Sequence, residues 1–413
     1  MLDRARVLIL EDDLLWIETL SDILQPTDIV QPKVQYLQAA TNLSNAFELL
    51  HRDYFNLAIV DISLVPGNDA DSQGMRFLAY LQETGLDEAV STIMLSAYGN
   101  IASVSSSFRD FQVSDFLVKG EFSRTVLIEA IQRALTKSKR DTAPQIEISR
   151  RRQIPDLWQR FNWPTREDEA QLTAELQDLL TRLFPGAQHL FLDDMPTGQS
   201  GAGVLRVTPT YEAAVGTPVV VKFGKRDKIQ IERENYLKHI ERFAGNHSST
   251  QLTAAGGRAM AAITYSFIGT ELENVKSFAE FYHANDVAAI ERAIDNLFRK
   301  TCSRWYDGHE RLRQIRNLVY LYESGLNIDW AEVWENAAFT VQDIAQPRLA
   351  FPGIAGDFEN PRLWLEAQAN EINMQVWRCV THGDLNQNNV LVTDDGRCWL
   401  IDFYRQWGRS HFA

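Results

Sequence analysis

The sequence predicts an α/β unit built on a five-stranded parallel sheet, followed by an α+β unit of a different kind. Three observations carry this expectation. Over residues 1–138, short apolar runs alternate with segments of helical spacing, the pattern of a parallel sheet covered on both faces. Those apolar runs end in chemically useful residues: Glu11-Asp12, Asp61, Ser96 and Lys119. Far downstream, Thr381-His-Gly-Asp-Leu-Asn-Gln-Asn-Asn-Val-Leu-Val392 precedes Trp399-Leu-Ile-Asp-Phe403. That order of acid, amide and acid suits phosphoryl transfer.

In the first unit, Val7–Leu10, Val34–Ala39, Phe55–Val60, Thr92–Leu95 and Phe116–Val118 read as strands. Leu14–Leu24 has helical spacing, Ala46–Leu50 belongs to a helix that starts near the Asn42 cap, and Ser123–Leu135 closes the unit as an amphipathic helix. Ligands of such sheets sit outside the carboxyl ends of the strands. Glu11, Asp12, Asp61, Ser96 and Lys119 therefore converge at one edge. Three carboxylates in one pocket repel, and a hard cation such as Mg2+ neutralises them with oxygen ligands. Asp61 is then a nucleophile for a phosphoryl group, Ser96 a hydrogen-bond donor to it, and Lys119 its counter-charge. A single Asp in a loop is usually only solvated; five such residues in order are a site.

This stretch, nearly all of residues 5–138, resembles the receiver domain of two-component response regulators, a flavodoxin-like fold. The resemblance implies a phosphorelay in which a cognate histidine kinase phosphorylates Asp61. It makes Glu11 and Asp12 the acidic pair, Asp61 the third metal-binding carboxylate and Phe116 the aromatic switch position. Two features depart from the family: Gly120 follows the lysine where proline is usual, and the loop from Val65 to Gly74 is long. The first bears on the geometry of Lys119, the second on partner choice and phosphoryl lifetime.

Composition sets outer limits. A length of 413 residues holds two or three domains. A net charge of −14 argues against a surface devoted to nucleic acid, which needs clustered Lys and Arg. Cys302, Cys379 and Cys398 have no metal-like spacing and suit a reducing cytoplasm. Neither a signal segment nor an apolar run of membrane-spanning length occurs, so the expected protein is cytoplasmic with no membrane partner.

Residues 139–184 read as a linker and coupling helix. Ser138-Lys-Arg-Asp-Thr-Ala-Pro144 has linker composition, and Arg150-Arg151-Arg152 reads as a solvated basic run. A helix is expected from the Thr165 cap, with Leu172, Leu176, Leu179, Leu180 and Leu183 on one stripe and Pro185-Gly186 as its stop.

From residue 185 to 413 the pattern changes. His189–Leu192 and Val204–Val207 are strands around a glycine-rich turn whose Gly198, Ser200 and Gly201 can bring backbone amides to phosphate. Pro218-Val-Val-Val-Lys-Phe223 is a third strand, and Lys222 after its apolar run is placed to neutralise nucleotide phosphates. Such a lysine needs an acid. Ile229–Phe243 is a helix with Ile229, Tyr236, Ile240 and Phe243 on one face; Glu232 at the edge of that face is the expected partner and Glu234 the alternative. An edge-strand charge that blunts aggregation is the competing reading of Lys222 alone. Ala261–Ile268 leads to a crossing at Gly269-Thr270, and Val275 to about Trp377 is expected to be mostly helical, including Leu312, Ile315, Leu318 and Leu321. Its aromatics, among them Trp305, Tyr306, Tyr320, Trp330, Trp334 and Trp364, are expected to be mainly packing residues.

The spacing Asp384-x4-Asn389 and the apolar run before Asp402 match the catalytic and metal-binding loops of the protein-kinase-like superfamily. The form His382-Gly-Asp384 looks more like aminoglycoside and choline phosphotransferases. The glycine loop, Val221-Lys222, Phe281-Tyr282, Leu297-Phe298, Trp305-Tyr306 and His382-Gly-Asp384 also resemble the ternary complex associated domains. These resemblances imply an ATP- and Mg2+-dependent phosphotransferase. In it Asp384 orients the acceptor hydroxyl or takes its proton, Asn389 and Asp402 hold metal, and Lys222 with Glu232 positions ATP. The acceptor, or a downstream protein partner, is unnamed by the sequence. Tyr404 rather than Gly follows Asp402-Phe403, and the sequence ends soon after, so a short or truncated C-terminal half is expected. A kinase-like binding module without turnover is the competing expectation.

Overall fold

Arg6–Leu10 (β1) is an apolar pentapeptide buried along its whole length, and the first half of the chain is built outward from it. The computed structural model describes residues 2–26, 33–65, 72–97, 111–149, 169–194, 202–241, 250–266, 275–303, 305, 314–326, 328–336, 346–350, 354–379, 382–402 and 410–412. Strand β1 lies between Tyr36–Ala40 (β2) and Leu57–Asp61 (β3), and Ser91–Ser96 (β4) and Asp115–Val118 (β5) follow β3. All four pairings are parallel, in the order β2-β1-β3-β4-β5. This is the flavodoxin-like order, whose direction switches between β1 and β3.

Because β-strand side chains alternate faces, each central strand feeds two cores. Leu8, Leu10, Ala58 and Val60 join one cluster, while Val7, Ile9, Leu57 and Ile59 join the other. The helices start on side-chain caps. Asp13 accepts from the Leu15 amide at the start of Leu14–Leu24 (α1), Asn42 from that of Asn45 before Leu43–Arg52 (α2), and Ser123 from that of Val126 before the closing helix Arg124–Lys137. One helix escaped the sequence reading: Gln73–Glu83 (α3), which buries Phe77, Leu78 and Leu81.

The second sheet runs β11-β12-β10-β8-β7-β6. Its strands are Gln145–Ile148 (β6), His189–Asp194 (β7), Gly203–Tyr211 (β8), Val219–Lys225 (β10), Thr250–Gly256 (β11) and Met260–Ser266 (β12), with Ala214–Val215 (β9) on the edge of β8. Residues 145–148, read as linker from the sequence, thus pair in parallel with β7. The leucine-striped helix Glu169–Leu183 covers one face of this sheet, where Leu172, Leu176, Leu179, Leu180 and Leu183 meet Leu190, Leu205, Val221 and Phe223. The expected cap Thr165 and the run Arg150-Arg151-Arg152 lie outside the described residues. The helix Arg226–Asn235, continued by a wide turn at Tyr236–Ile240, covers the other face with Ile229, Tyr236 and Ile240. Phe243 and Gly269-Thr270 lie outside the described residues.

That second face also packs on Phe281, Ala293, Leu297 and Trp305, and on a hairpin of Val390–Val392 and Cys398–Leu400. The expectation of helix through 312–321 is corrected. Gln314–Asn317 is a strand, antiparallel to Asn373–Val376, and helix begins only at Leu318. Cross-strand pairing overrides a local period that fits either state. The aromatics divide as well. Trp305 is buried, and Trp330 stacks on Trp334 at 5.7 Å, but Tyr320 is 54 % and Trp364 44 % exposed. No helix among the described residues is long and apolar enough to cross a membrane.

The two halves are joined through polar contacts, those of Gln171 and Arg140 buried. From the helix Glu169–Leu183, Gln171 accepts from Arg6 at 2.7 Å and from the Tyr54 amide at 2.8 Å, and donates to Asp53. Arg140 grips Asp178 with two hydrogen bonds, of 2.5 and 2.9 Å, and also reaches the Ala89 carbonyl. Arg182 bridges Asp178, the Glu88 carbonyl and the Gly256 carbonyl, and Arg226 donates to the Thr84 carbonyl. Arg6, Asp53, Tyr54, Glu88 and Ala89 all precede or open strands of the first sheet. The docking pole is therefore opposite the strand ends that carry Glu11 and Asp61.

Candidate functional site

The β1/β3 switch point places Glu11 and Asp61 side by side, and Lys119, just after β5, reaches across to both. Lys119 Nζ lies 2.8 Å from Glu11 Oε2 and 2.9 Å from Asp61 Oδ2. Glu11, Asp12 and Asp61 each bring a carboxylate oxygen into one cluster, all within 4.8 Å. Burial first, and then the neighbouring Asp61 charge, push the Glu11 carboxyl up to about 7 against the pull of Lys119. Hard oxygen donors with excess negative charge fit a small divalent cation. Ser96 is buried at the end of β4, and Phe116 is half-buried on β5, opposite Met94.

Two contributors were not anticipated. Trp16, one turn into α1, lies with its ring 5.2 Å from Lys119 Nζ and edge-on to Phe122. Gly74 opens α3 against the backbone of Asp61. A Cβ there would lie 2.2 Å from the Asp61 carbonyl oxygen, and the Gly74 amide donates to the Ile62 carbonyl. The helix can approach the acidic strand end only at a residue without a side chain.

A second arrangement lies where the second sheet meets the Val390–Leu400 hairpin. Lys222 on β10 is buried, 2.6 Å from Glu232 and 2.8 Å from Asp402. Burial opposes its charge, but the two carboxylates outweigh burial and hold it protonated above its ordinary range. Glu232 is itself buried, and Tyr265 donates to its second oxygen at 2.9 Å. Glu234 is exposed, and Glu232, the first choice from the helical face, is the residue that meets Lys222.

The loop before the hairpin is tied to the strand after it. Asn389 donates to the Asp384 carbonyl at 2.8 Å and approaches Asp384 Oδ2 at 3.3 Å. The Ile401 amide donates to the Asn389 carbonyl, and His382 Nε2 meets the Ile401 carbonyl at 2.9 Å. Burial drives His382 down to about 4, so its ring is neutral and can donate that hydrogen bond. Trp305 stacks parallel to it at 6.3 Å. Asp402 adopts a left-handed backbone at φ 68°, as does Gly383 at φ 78°. For a non-glycine residue that conformation costs about 1–2 kcal/mol, sustained here by the Lys222 pair. The structure thus brings Lys222, Glu232 and Asp402 into one cluster, and Asp384 and Asn389 into another in the loop before the hairpin. Gly198, Ser200 and Gly201 lie outside the described residues.

Comparison with known proteins found a family model over part of the second half and similarities to solved structures. Residues 187–350 match the family model of ternary complex associated domain 9, a span that includes Lys222 and Glu232 and stops before Asp384. A solved signal receiver domain of an HD domain-containing protein from Pseudomonas fluorescens Pf-5 aligns at 18 % identity, covering 33 % of this chain and 97 % of that one, with a TM-score of 0.27. The response regulator LqsR of Legionella pneumophila aligns at 11 % over 69 % of this chain and 95 % of its own, TM-score 0.24. Choline kinase LicA from Streptococcus pneumoniae aligns at 14 % over 53 % of this chain and 63 % of its own, TM-score 0.29. No curated protein matches. The chain is an α/β unit on a five-stranded parallel sheet followed by a second unit built on a mixed sheet.

Proposed function

We propose that this protein is a response regulator that controls its own phosphotransferase domain. In the first domain an Asp61 carboxylate oxygen attacks the phosphorus of a phosphohistidine on a histidine kinase. The new P–O bond forms as the P–N bond breaks, and the imidazole leaves. Mg2+ held by Glu11, Asp12 and Asp61 would screen the incoming phosphoryl charge. Lys119 pairs with that charge, and Ser96 donates to a phosphoryl oxygen. In the second domain Lys222, fixed by Glu232, binds ATP phosphates. Asp384 accepts the proton of an acceptor hydroxyl whose oxygen attacks the γ-phosphorus as ADP departs. Asn389 and Asp402 would hold a second Mg2+.

The observation that carries the reading is the buried Lys222 between Glu232 and Asp402, with Asp384 and Asn389 bonded to each other in the adjoining loop. A route for control is available too: Arg226, at the start of the helix bearing Glu232, holds the Thr84 carbonyl of the first domain. A second reading, a phosphorylation-controlled binding module, is favoured by one fact. Asp402 occupies Lys222, so the lysine is already neutralised without phosphate.

The test is Mg2+-dependent ATP turnover by the full chain and by Asp384→Asn, each with and without beryllofluoride on Asp61. Turnover that falls at least ~100-fold in Asp384→Asn and changes with beryllofluoride supports the enzyme. Turnover unchanged in Asp384→Asn refutes the assigned residue, and none in any state favours the module.

A further inference from the structure

The second-domain cluster contains a phenol that none of the assigned roles uses. Tyr265 is fully buried on β12, directly opposite Val220 of β10 in an antiparallel register that also sets Ile263 opposite Lys222. Alternation along the strands therefore puts Tyr265 on the same face as Lys222. Its hydroxyl donates to Glu232 Oε1 at 2.9 Å, while Lys222 holds Glu232 Oε2 at 2.6 Å. The ring packs edge-on against Tyr236, in the wide turn that continues the Glu232 helix, with centroids 6.0 Å apart.

From this we infer that Tyr265 is a positioning residue for nucleotide binding, acting through Glu232. The argument rests on the reading of Lys222 as the nucleotide lysine. One ammonium serves two buried carboxylates in this structure, so the cluster Lys222, Glu232 and Asp402 carries one excess negative charge. When phosphates arrive, Lys222 has to turn a proton toward them and release Asp402, yet stay aimed by Glu232. A carboxylate with a single donor can rotate or take up a proton during that exchange. Tyr265 fixes Oε1 in the plane that keeps Oε2 on Lys222, and it stabilises the ionised form with a neutral donor. The Tyr236 ring in turn seats the phenol against the helix. The residue thus couples the sheet to the helix at the one carboxylate whose orientation matters.

The measurement is calorimetric titration of ATP with Mg2+ into the full chain as wild type, Tyr265→Phe, Glu232→Gln and the double variant, across pH 6 to 9. Tyr265→Phe keeps the ring and removes one hydroxyl, and melting curves verify that each variant is folded. The expected result is ATP binding weakened about 3- to 30-fold in Tyr265→Phe, with the loss greater at the acid end because Glu232 has lost a donor. In the Glu232→Gln background the same change should cost less than about twofold. Equal ATP affinity in wild type and Tyr265→Phe would overturn the inference, as would an undiminished loss in the Glu232→Gln background. A wild type that binds no ATP would overturn the nucleotide reading itself, and with it this one. Should Tyr265→Phe be unfolded, the pH dependence of Glu232→Gln decides: an acid-limb loss identical to that of wild type removes Glu232, and so Tyr265, from the binding step.

Discussion

Each half of the chain sets one lysine between two carboxylates, and the two settings differ in what surrounds them. In the first domain Lys119 bridges Glu11 and Asp61 at an open strand edge, its side chain 12 % exposed, with Asp12 adding a third carboxylate. In the second, Lys222 bridges Glu232 and Asp402 with 4 % exposure, and a hydroxyl donor replaces the third acid. The open cluster has surplus oxygen donors and a carboxyl that retains a proton near neutrality, which suits a cation that comes and goes. The closed cluster has a donor on each side of its acid, which suits a lysine that stays charged and aimed. On the proposed reading, the same pairing would serve as a metal trap in one place and as a fixed phosphate anchor in the other.

The largest effect should come from removing the closed lysine. Lys222→Met leaves two buried carboxylates without their cation and should destabilise the second domain by roughly 3–5 kcal/mol, read by denaturant unfolding. A loss below about 1 kcal/mol would mean that the cluster is wetter than its burial implies, and the contrast would fail. Lys119→Met should do the opposite for ligand binding. With the local cation gone, Mg2+ should bind roughly tenfold more tightly than to wild type by calorimetry. Weaker binding would show Lys119 to organise the acids rather than compete for them.

A further effect is a pH dependence. The folded-state Glu11 carboxyl sits near 7, above its ordinary value of 4.5, so a proton competes with metal below that point. Mg2+ affinity should climb by up to about tenfold per pH unit toward 7 and level off above it. By the same sign, metal-free stability should fall as pH rises from about 4.5 to 7, because the folded state holds the extra proton. Glu11→Gln should flatten both profiles. A flat wild-type profile would place the proton elsewhere.

Much of the first domain was legible because its order along the chain is its order of function. Strand, helix and strand-end residue recur, and the β1/β3 switch turns sequence position into spatial adjacency. Asn42 was readable as a cap from residue type, and Glu232 was separable from Glu234 by helical phase. Other features left weaker traces. Helix α3 lay beyond an irregular loop, and Ile315 belongs to a strand because Gln375 pairs with it from far along the chain. Trp16 and Gly74 carry their roles through contacts with Lys119 and Asp61 that no local period encodes.

The sequence by itself determined the parallel sheet with its acidic edge, the Lys222–Glu232 pairing and the acid-amide-acid order of the C-terminal loop. Each is written in periodicity and spacing, which backbone geometry converts directly into faces and edges. Only the tertiary structure decided that Tyr265 faces Glu232, that Asp402 closes onto Lys222, and that Arg140 and Gln171 dock the first domain by the pole opposite Asp61. Those depend on burial, where a polar atom must find a partner wherever the packed chain supplies one. The partner can sit 38 residues away, as for Arg140 and Asp178, or 165 away, as for Arg6 and Gln171.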